Sequence, residues 1–160
     1  MFRIGLGTDI HPFKDGIKLV LGGIEVPCSK GLDGHSDGDP VLHALGDALL
    51  GAAALGDLGE HFPASEENKG RASSEILSEI CQKIWGKGYK IINTDIVIMA
   101  EEPRLSSYKE GMQSHIAALL NLEKNAVSVK ATTCDRLGFI GRKEGVMVQA
   151  VVLLEKKKYE

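Results

Sequence analysis

The chain has 160 residues, 43% of them hydrophobic and 26% charged, with a formal net charge of −3 and a pI near 6.0. That suits one domain, 1–160, long enough to bury a core. The acidic balance argues against a nucleic-acid backbone as partner, and an aromatic content of 5% argues against a base-stacking platform. Cys28, Cys81 and Cys134 are far apart and form no disulfide framework, which fits a reducing compartment. No apolar run reaches the length of a membrane span, and "MFRIGLGTDI" has no signal-peptide pattern. The expectation is a cytoplasmic protein without membrane contact; a processed plastid-type form would read the same.

Residues 2–10 alternate loosely and predict a strand, with "GTDIHPF" (7–13) at its end. "IKLVLGGIEVP" (17–27) predicts a hairpin about Gly22-Gly23. A polar, glycine-rich loop, "CSKGLDGHSDGD" (28–39), leads to a helix over 40–56 that opens with Pro40. After the loop "DLGEHFPASEENKG", Ile76, Leu77, Ile80, Cys81 and Ile84 keep the helical period over 73–86. A β-branched strand follows at 89–100, then a helix beginning near Arg104 with Ser107 and Glu110 spaced as a capping box. Strands at 126–133 and 145–155 complete the order, and "EKKKYE" reads as a solvated tail. These elements predict an α+β two-layer sandwich: a mixed four-stranded sheet plus a β-hairpin, with helices on one face.

Asp9 and His11, two residues apart on a strand, share a face and could present an oxygen and a nitrogen to one point. In 40–56, Asp39, His43 and Asp47 form a stripe at i, i+4 and i+8. A solvated face is the ordinary reading of such a stripe. Here Leu50 and Ala54 continue it, so the helix is apolar almost all round, as in a buried or interface helix. Gly46 and Gly51 within it suggest a close backbone neighbour. Asp9, His11 and His43 would together supply one carboxylate and two imidazoles. A set of three with a vacancy describes a catalytic zinc site better than a closed structural one. Asp39 or Asp47 could then accept from the far nitrogen of His43.

The motifs "GTDIHPF", "LGG", "GLDGHSDGDPVLHALGDALLGAAALGDLGEHFP", "GYKIINTDIVI" and "VKATTCDRLGFIGRKEG" resemble those of the 2-C-methyl-D-erythritol 2,4-cyclodiphosphate synthase family, in family order from about residue 3 to 153. The resemblance implies a homotrimer with active sites between subunits. It implies conversion of 4-diphosphocytidyl-2-C-methyl-D-erythritol 2-phosphate to the cyclic diphosphate with release of CMP, in the non-mevalonate isoprenoid route. It places zinc, or another divalent transition metal, on Asp9, His11 and His43, with Ile10 between them in the substrate site. It places the stabilisers of the transition state at His35 and Thr133. The methylerythritol phosphate would lie against His35, Ser36, Asp57, Leu58 and Gly59, with Phe62, Pro63, Ala64, Ser65 and Glu66 as a further contacting loop. The cytidine diphosphate would be held by Ala100, Glu101, Glu102, Pro103, Arg104 and Leu105 and by Thr132, Thr133, Cys134 and Asp135 of a neighbouring subunit. Phe139 and Arg142 also match substrate-contacting positions.

Magnesium or manganese on the diphosphate is implied at Asp135, where the family usually has Glu, one methylene longer. Arg104 stands for the usual Lys, a planar fork in place of a point charge, and Ala64 for an Asp after "FP". Glu101 and Glu102 otherwise read as a solvated charge pair, Arg142 as part of a solvated turn, and His115 as a surface or interface histidine. Two rivals share the His₂Asp set: a zinc-dependent phosphohydrolase and a non-catalytic scaffold with structural zinc.

Overall fold

In the computed structural model, which describes residues 1–156, β1 runs without interruption from Phe2 to Asp15. It is therefore longer than the alternation in 2–10 predicts, and Asp9 and His11 lie within it. It pairs antiparallel along its length with β7 (Gly145–Lys156), where Asp9 faces Val148 and His11 faces Val146. Pairing with β7 as far as Pro12, and with Lys30–Leu32 from Phe13 on, keeps the strand extended past its polar residues, a tertiary effect that local alternation does not carry. β7 also pairs antiparallel with β5 (Tyr89–Met99), and β5 pairs parallel with β6 (Val127–Thr132). β4 (Lys30–Leu32) closes the other edge, giving the order β4-β1-β7-β5-β6. The mixed sheet thus has five strands, not four, because part of the polar 28–39 segment pairs with Phe13–Asp15. The predicted hairpin is present as β2 (Leu19–Leu21) and β3 (Ile24–Val26), with Gly22 and Gly23 both at positive φ.

One face of the sheet is covered. Val146, Val148, Ala150, Val152 and Leu154 of β7 are buried, as are Ile91, Ile96 and Ile98 of β5. Ile91 and Ile96 differ in parity. The register shift between Ile91 and Asn93 resets the alternation so that both still point to the core. α1 (Pro40–Ala52) lies on β1 and β7, with α3 (Ser73–Gly86) packed on it and α4 (Lys109–Leu120) against β6. Short helices α2 (Leu58–His61) and α5 (Gly138–Gly141) sit in the loops. α4 starts after Tyr108 without a side-chain cap. The expected Ser107–Glu110 box is absent because Glu110 reaches Lys124 Nζ, 2.6 Å away.

α1 is buried inside its own chain, so its apolar circumference is no measure of association. The close backbone approach implied by its glycines falls instead on the strand. A Cβ on Gly5 or Gly7 of β1 would stand 1.9 Å from the carbonyl oxygen of Ala48 or Ala44, whereas one on Gly51 meets nothing within 4 Å. Gly46 faces only the side chains of Ile80 and Leu58. The sheet's other face carries exposed apolar side chains: Phe2 63%, Ile4 72%, Leu6 62%, Ile10 49% and Val151 41% exposed. No helix among the described residues is long and apolar enough to cross a membrane. Of the predicted solvated tail, Glu155 and Lys156 are the last residues of β7, and 157–160 lie outside the described residues.

Candidate metal centre and substrate pockets

Because Gly5 and Gly7 let β1 lie directly on Ala44 and Ala48 of α1, Asp9 and His11, farther along the same face, are brought against His43, one turn before Asp47. One ligand atom from each of Asp9, His11 and His43 lies within 4.8 Å of the other two. Asp9 Oδ2 is 2.7 Å from His11 Nε2 and 3.0 Å from His43 Nδ1, and the two nitrogens are 3.4 Å apart. Two nitrogens bound tetrahedrally to one ion at about 2.05 Å would be separated by about 3.3 Å, so the pair needs almost no adjustment to share a cation. The side chains are largely covered, Asp9 being 25% exposed, His11 13% and His43 12%.

The electrostatics of the cluster also favour a cation. Burial opposes ionisation of Asp9, yet hydrogen bonds and charge from His11 and His43 together hold its carboxyl at about 2. Burial likewise opposes the charged form of His11. The bond to Asp9, with the Asp33 carbonyl on the ring's other side, outweighs it and raises the imidazole above 6.5. His11 Nδ1–H donates to that carbonyl, which leaves Nε2 as the ligand atom in the neutral ring. Three donors of hard and borderline type, with no fourth protein ligand in the cluster among the described residues, suit a divalent metal with an open position.

His43 does not use the carboxylates of its own helix. Its Nε2 lies 2.8 Å from Ser36 Oγ and 2.9 Å from Ser73 Oγ. Asp39 is fully buried and accepts from the backbone N–H groups of Gly22, Gly23, Val41 and Leu42. It caps α1 and ties the hairpin to it, and burial pushes its carboxyl up to about 6 against those bonds. Asp47 accepts from Leu58 N at 2.7 Å and so anchors α2. Neither is the partner of His43, since free N–H groups at a turn and at two helix starts claim both. Ser73 and Asp37 are the residues that spacing missed. Ser73 opens α3, 30 residues along the chain from His43, and only "HSDGD" could have drawn attention to Asp37.

A cavity of about 150 Å³ opens beside the cluster, lined by His11, His35, Ser36, His43, Leu58, Phe62, Ala64, Asn68 and Ile76. His35 Nε2–H donates to the Ser65 carbonyl at 2.9 Å, docking the 62–66 loop on the imidazole. The Phe62 ring lies under Arg71 and Lys83, at 5.7 and 5.2 Å. Asp57 caps α2 through Glu60 N, while Ile10 points to the opposite, exposed face of the sheet. His61 is structural: it donates to the Leu55 carbonyl and accepts from Lys83.

A second, larger groove of about 440 Å³ is separate from the first and shares no lining residue with it. Ala100, Glu101, Pro103, Arg104, Leu105, Ser106, Lys109, Ala131, Thr132 and Thr133 surround it. Within one chain, then, Thr133 and His35 belong to different pockets. Glu101 is not a free surface charge. Its carboxylate accepts from Cys134 N and Arg136 N, at 2.9 and 3.2 Å, and shapes the turn in which Asp135 and Arg136 both have positive φ. Glu102, joined to Pro103 by a cis bond, pairs with Lys143. Asp135 is exposed. Arg142 pairs with Glu144, and Phe139 beside it is 38% exposed. His115 is half-buried: its ring packs against Gly23, and its Nε2 is buried without a hydrogen-bond partner among the described residues.

The sequence profile of the YgbB family matches residues 2–155. The 2-C-methyl-D-erythritol 2,4-cyclodiphosphate synthase of Chlorobium phaeobacteroides is 52% identical over 156 residues, which cover 97% of this chain and 99% of that one. The synthase of Geobacillus thermodenitrificans is 47% identical over 159 residues, 99% of each chain. Among solved structures, the bifunctional IspDF of Campylobacter jejuni matches with a TM-score of 0.95 and 43% identity, over 99% of this chain and 43% of that longer one. A 2C-methyl-D-erythritol-2,4-cyclodiphosphate synthase in a CDP-bound form matches with a TM-score of 0.88 and 32% identity, over 96% of this chain and all of that one. With a profile match over nearly its whole length and half its residues shared with such relatives, the chain belongs to the YgbB family.

Proposed function

We infer that this chain is a 2-C-methyl-D-erythritol 2,4-cyclodiphosphate synthase of isoprenoid precursor biosynthesis, formed as a single domain over 1–160. Its substrate is 4-diphosphocytidyl-2-C-methyl-D-erythritol 2-phosphate. A 2-phosphate oxygen forms the new bond to the β-phosphorus, the bond from that phosphorus to the oxygen shared with the α-phosphate breaks, and CMP departs. The observation that carries the reading is the Asp9–His11–His43 cluster set in a small cavity with His35, in a chain about half identical to named synthases over its full length.

The nucleophile is already an anion, so no general base is needed, and the task left to the protein is holding two anionic groups together. His35, Ser36 and the Asp57–Gly59 turn orient the methylerythritol phosphate, with Phe62–Glu66 closing over it. The Ala100–Leu105 and Thr132–Asp135 segments hold the cytidine diphosphate, the ligand class of the CDP-bound relative. Phe139 and Arg142 flank it, and His35 and Thr133 stabilise charge on the transferring phosphoryl group. Zinc held by Asp9, His11 and His43, with magnesium or manganese at Asp135, would supply Lewis acidity and charge neutralisation at the diphosphate. Because the two pockets are separate within a chain, the complete site calls for a neighbouring copy. The exposed Phe2, Ile4, Leu6, Ile10 and Val151 face supports self-association as a homotrimer. The chain works in the cytoplasm, on a small-molecule partner.

Mass spectrometry of the product formed from the cytidylyl substrate with zinc and magnesium tests the activity. The cyclic diphosphate and CMP are expected, and inorganic phosphate would identify a hydrolase instead. His43→Ala should lose zinc and nearly all turnover while remaining folded, and a full zinc complement in that variant would overturn the ligand assignment.

A further inference from the structure

We infer that Ser73, polarised by Asp37, is a positioning residue that draws the proton of His43 to Nε2, against the pull of Asp9 on Nδ1, and so frees the Nδ1 lone pair for the metal. The inference rests on the metal reading above and extends it to residues outside the ligand set.

Counting donors leads to it. Ser73 is 1% exposed, at the first residue of α3. Its hydroxyl makes a short hydrogen bond to Asp37 Oδ1, and its backbone N donates to Asp37 Oδ2 at 3.0 Å. A carboxylate only accepts, so the single hydroxyl hydrogen of Ser73 is committed to Asp37. Toward His43 Nε2, 2.9 Å away, Ser73 Oγ can offer only a lone pair. A hydrogen bond there requires the proton on Nε2, in competition with Asp9 Oδ2, which lies 3.0 Å from Nδ1 and draws the proton to that side when no cation is bound; held on Nε2, the proton leaves a bare Nδ1 facing Asp9 and His11. Ser36 Oγ, 2.8 Å from the same nitrogen and 3.3 Å from Ser73 Oγ, can accept alongside or donate to Ser73 without changing the count; only a Ser36 hydroxyl turned onto Nε2 would join Asp9 in favouring the other tautomer. The relay is a carboxylate–hydroxyl–imidazole chain, the hydroxyl standing between the two groups that usually meet directly behind a metal-bound histidine.

Asp37 must be a carboxylate for this to work. Its Oδ1 also accepts from Asp39 N at 3.3 Å, so each oxygen faces a backbone N–H. In Asp37→Asn, either orientation of the amide sets its NH₂ against one of them. The weaker contact to give up is the longer one, at Oδ1. The NH₂ placed there would donate to Ser73 Oγ, turn the hydroxyl hydrogen toward His43 Nε2 and drive the histidine proton to Nδ1.

The test uses full-length protein stripped of metal. Zinc affinity is measured by competition with a chromophoric chelator, and the His43 tautomer by ¹⁵N imidazole NMR at pH 8, assigned against His43→Gln. Ser73→Ala keeps the backbone N–H that Asp37 caps, so the metal-free fold should melt as the parent does, while zinc binding weakens 10- to 100-fold. The parent should show a larger Nε2-protonated share of His43 than Asp37→Asn, in which the pull of Asp9 on Nδ1 is no longer opposed. Parental zinc affinity in Ser73→Ala, or the same tautomer share in Asp37→Asn as in the parent, would overturn the inference. A parent that binds no zinc would overturn the metal reading instead, with the tautomer still testing the relay.

Discussion

Gly7→Ala should damage the candidate metal centre without touching any of its three side chains. The added Cβ would stand 1.9 Å from the Ala44 carbonyl oxygen and 2.8 Å from Ala48 N. Both are backbone atoms of a regular helix, so no side chain can turn aside. A carbon–oxygen contact relaxes at about 3.3 Å, so β1 and α1 must separate by the difference from 1.9 Å, roughly 1.4 Å. Overpacking of this kind costs about 1–3 kcal/mol, and the upper end applies because the clash is with helix backbone that no side-chain rotation can relieve. At 2–4 °C per kcal/mol for a chain of this size, the melting temperature should fall by about 6–12 °C. Functional geometry tolerates displacements of only about 0.5 Å, and Asp9 and His11 ride on β1 while His43 rides on α1. Zinc occupancy should therefore fall further than stability alone explains. The assay is thermal unfolding at fixed protein concentration, with metal analysis of the folded fraction and CMP release. Gly51→Ala serves as control: with nothing within 4 Å of the new methyl, it should hold or gain up to about 1 kcal/mol of helix stability. A Gly7→Ala protein with parental melting temperature and zinc content would refute the reasoning.

Replacing Ile4 by Glu, on the exposed sheet face, should dissociate the proposed trimer and abolish CMP release while a monomer remains folded; light scattering that finds the parent itself an active monomer would contradict the association. Asp135→Glu should lower the magnesium concentration for half-maximal rate without altering zinc content, because the longer carboxylate reaches farther. The left-handed backbone at Asp135, φ +51°, favours Asp over Glu, so a slightly less stable turn should accompany the gain, and an unchanged magnesium titration would show that the loop already brings Asp135 into contact. The metal-free and zinc-loaded forms should respond oppositely to pH between 5 and 8. The raised folded-state values of His11 and Asp39 stabilise the metal-free fold at the acid end. That contribution is lost as pH rises, for Asp39 by about 6 and for His11 above 6.5. Zinc must displace the His11 proton, so its affinity should rise over the same range; parallel trends in the melting temperatures of the two forms would count against His11 as a ligand.

Asp9, His11 and His43 are legible in the amino-acid order because each rests on a short-range period: two residues on a strand face, and one histidine on an apolar helix. The hairpin, the long helices and strands β5 to β7 are legible for the same reason, their hydrophobic spacing being a local property of the chain. Contacts that join distant segments are not. β4 exists only because Lys30–Leu32 finds Phe13–Asp15, and an isolated three-residue strand has no periodicity of its own. Asp39 and Asp47 flank His43 along the helix, yet the hairpin and α2 supply the N–H groups that claim them. The oxygen that supports His43 comes instead from Ser73, thirty residues away along the chain. Sequence alone determined which residue types this protein could bring to a metal and a phosphate. Tertiary packing decided which of them share a cavity, because a buried polar group takes whichever donor or acceptor the fold sets beside it.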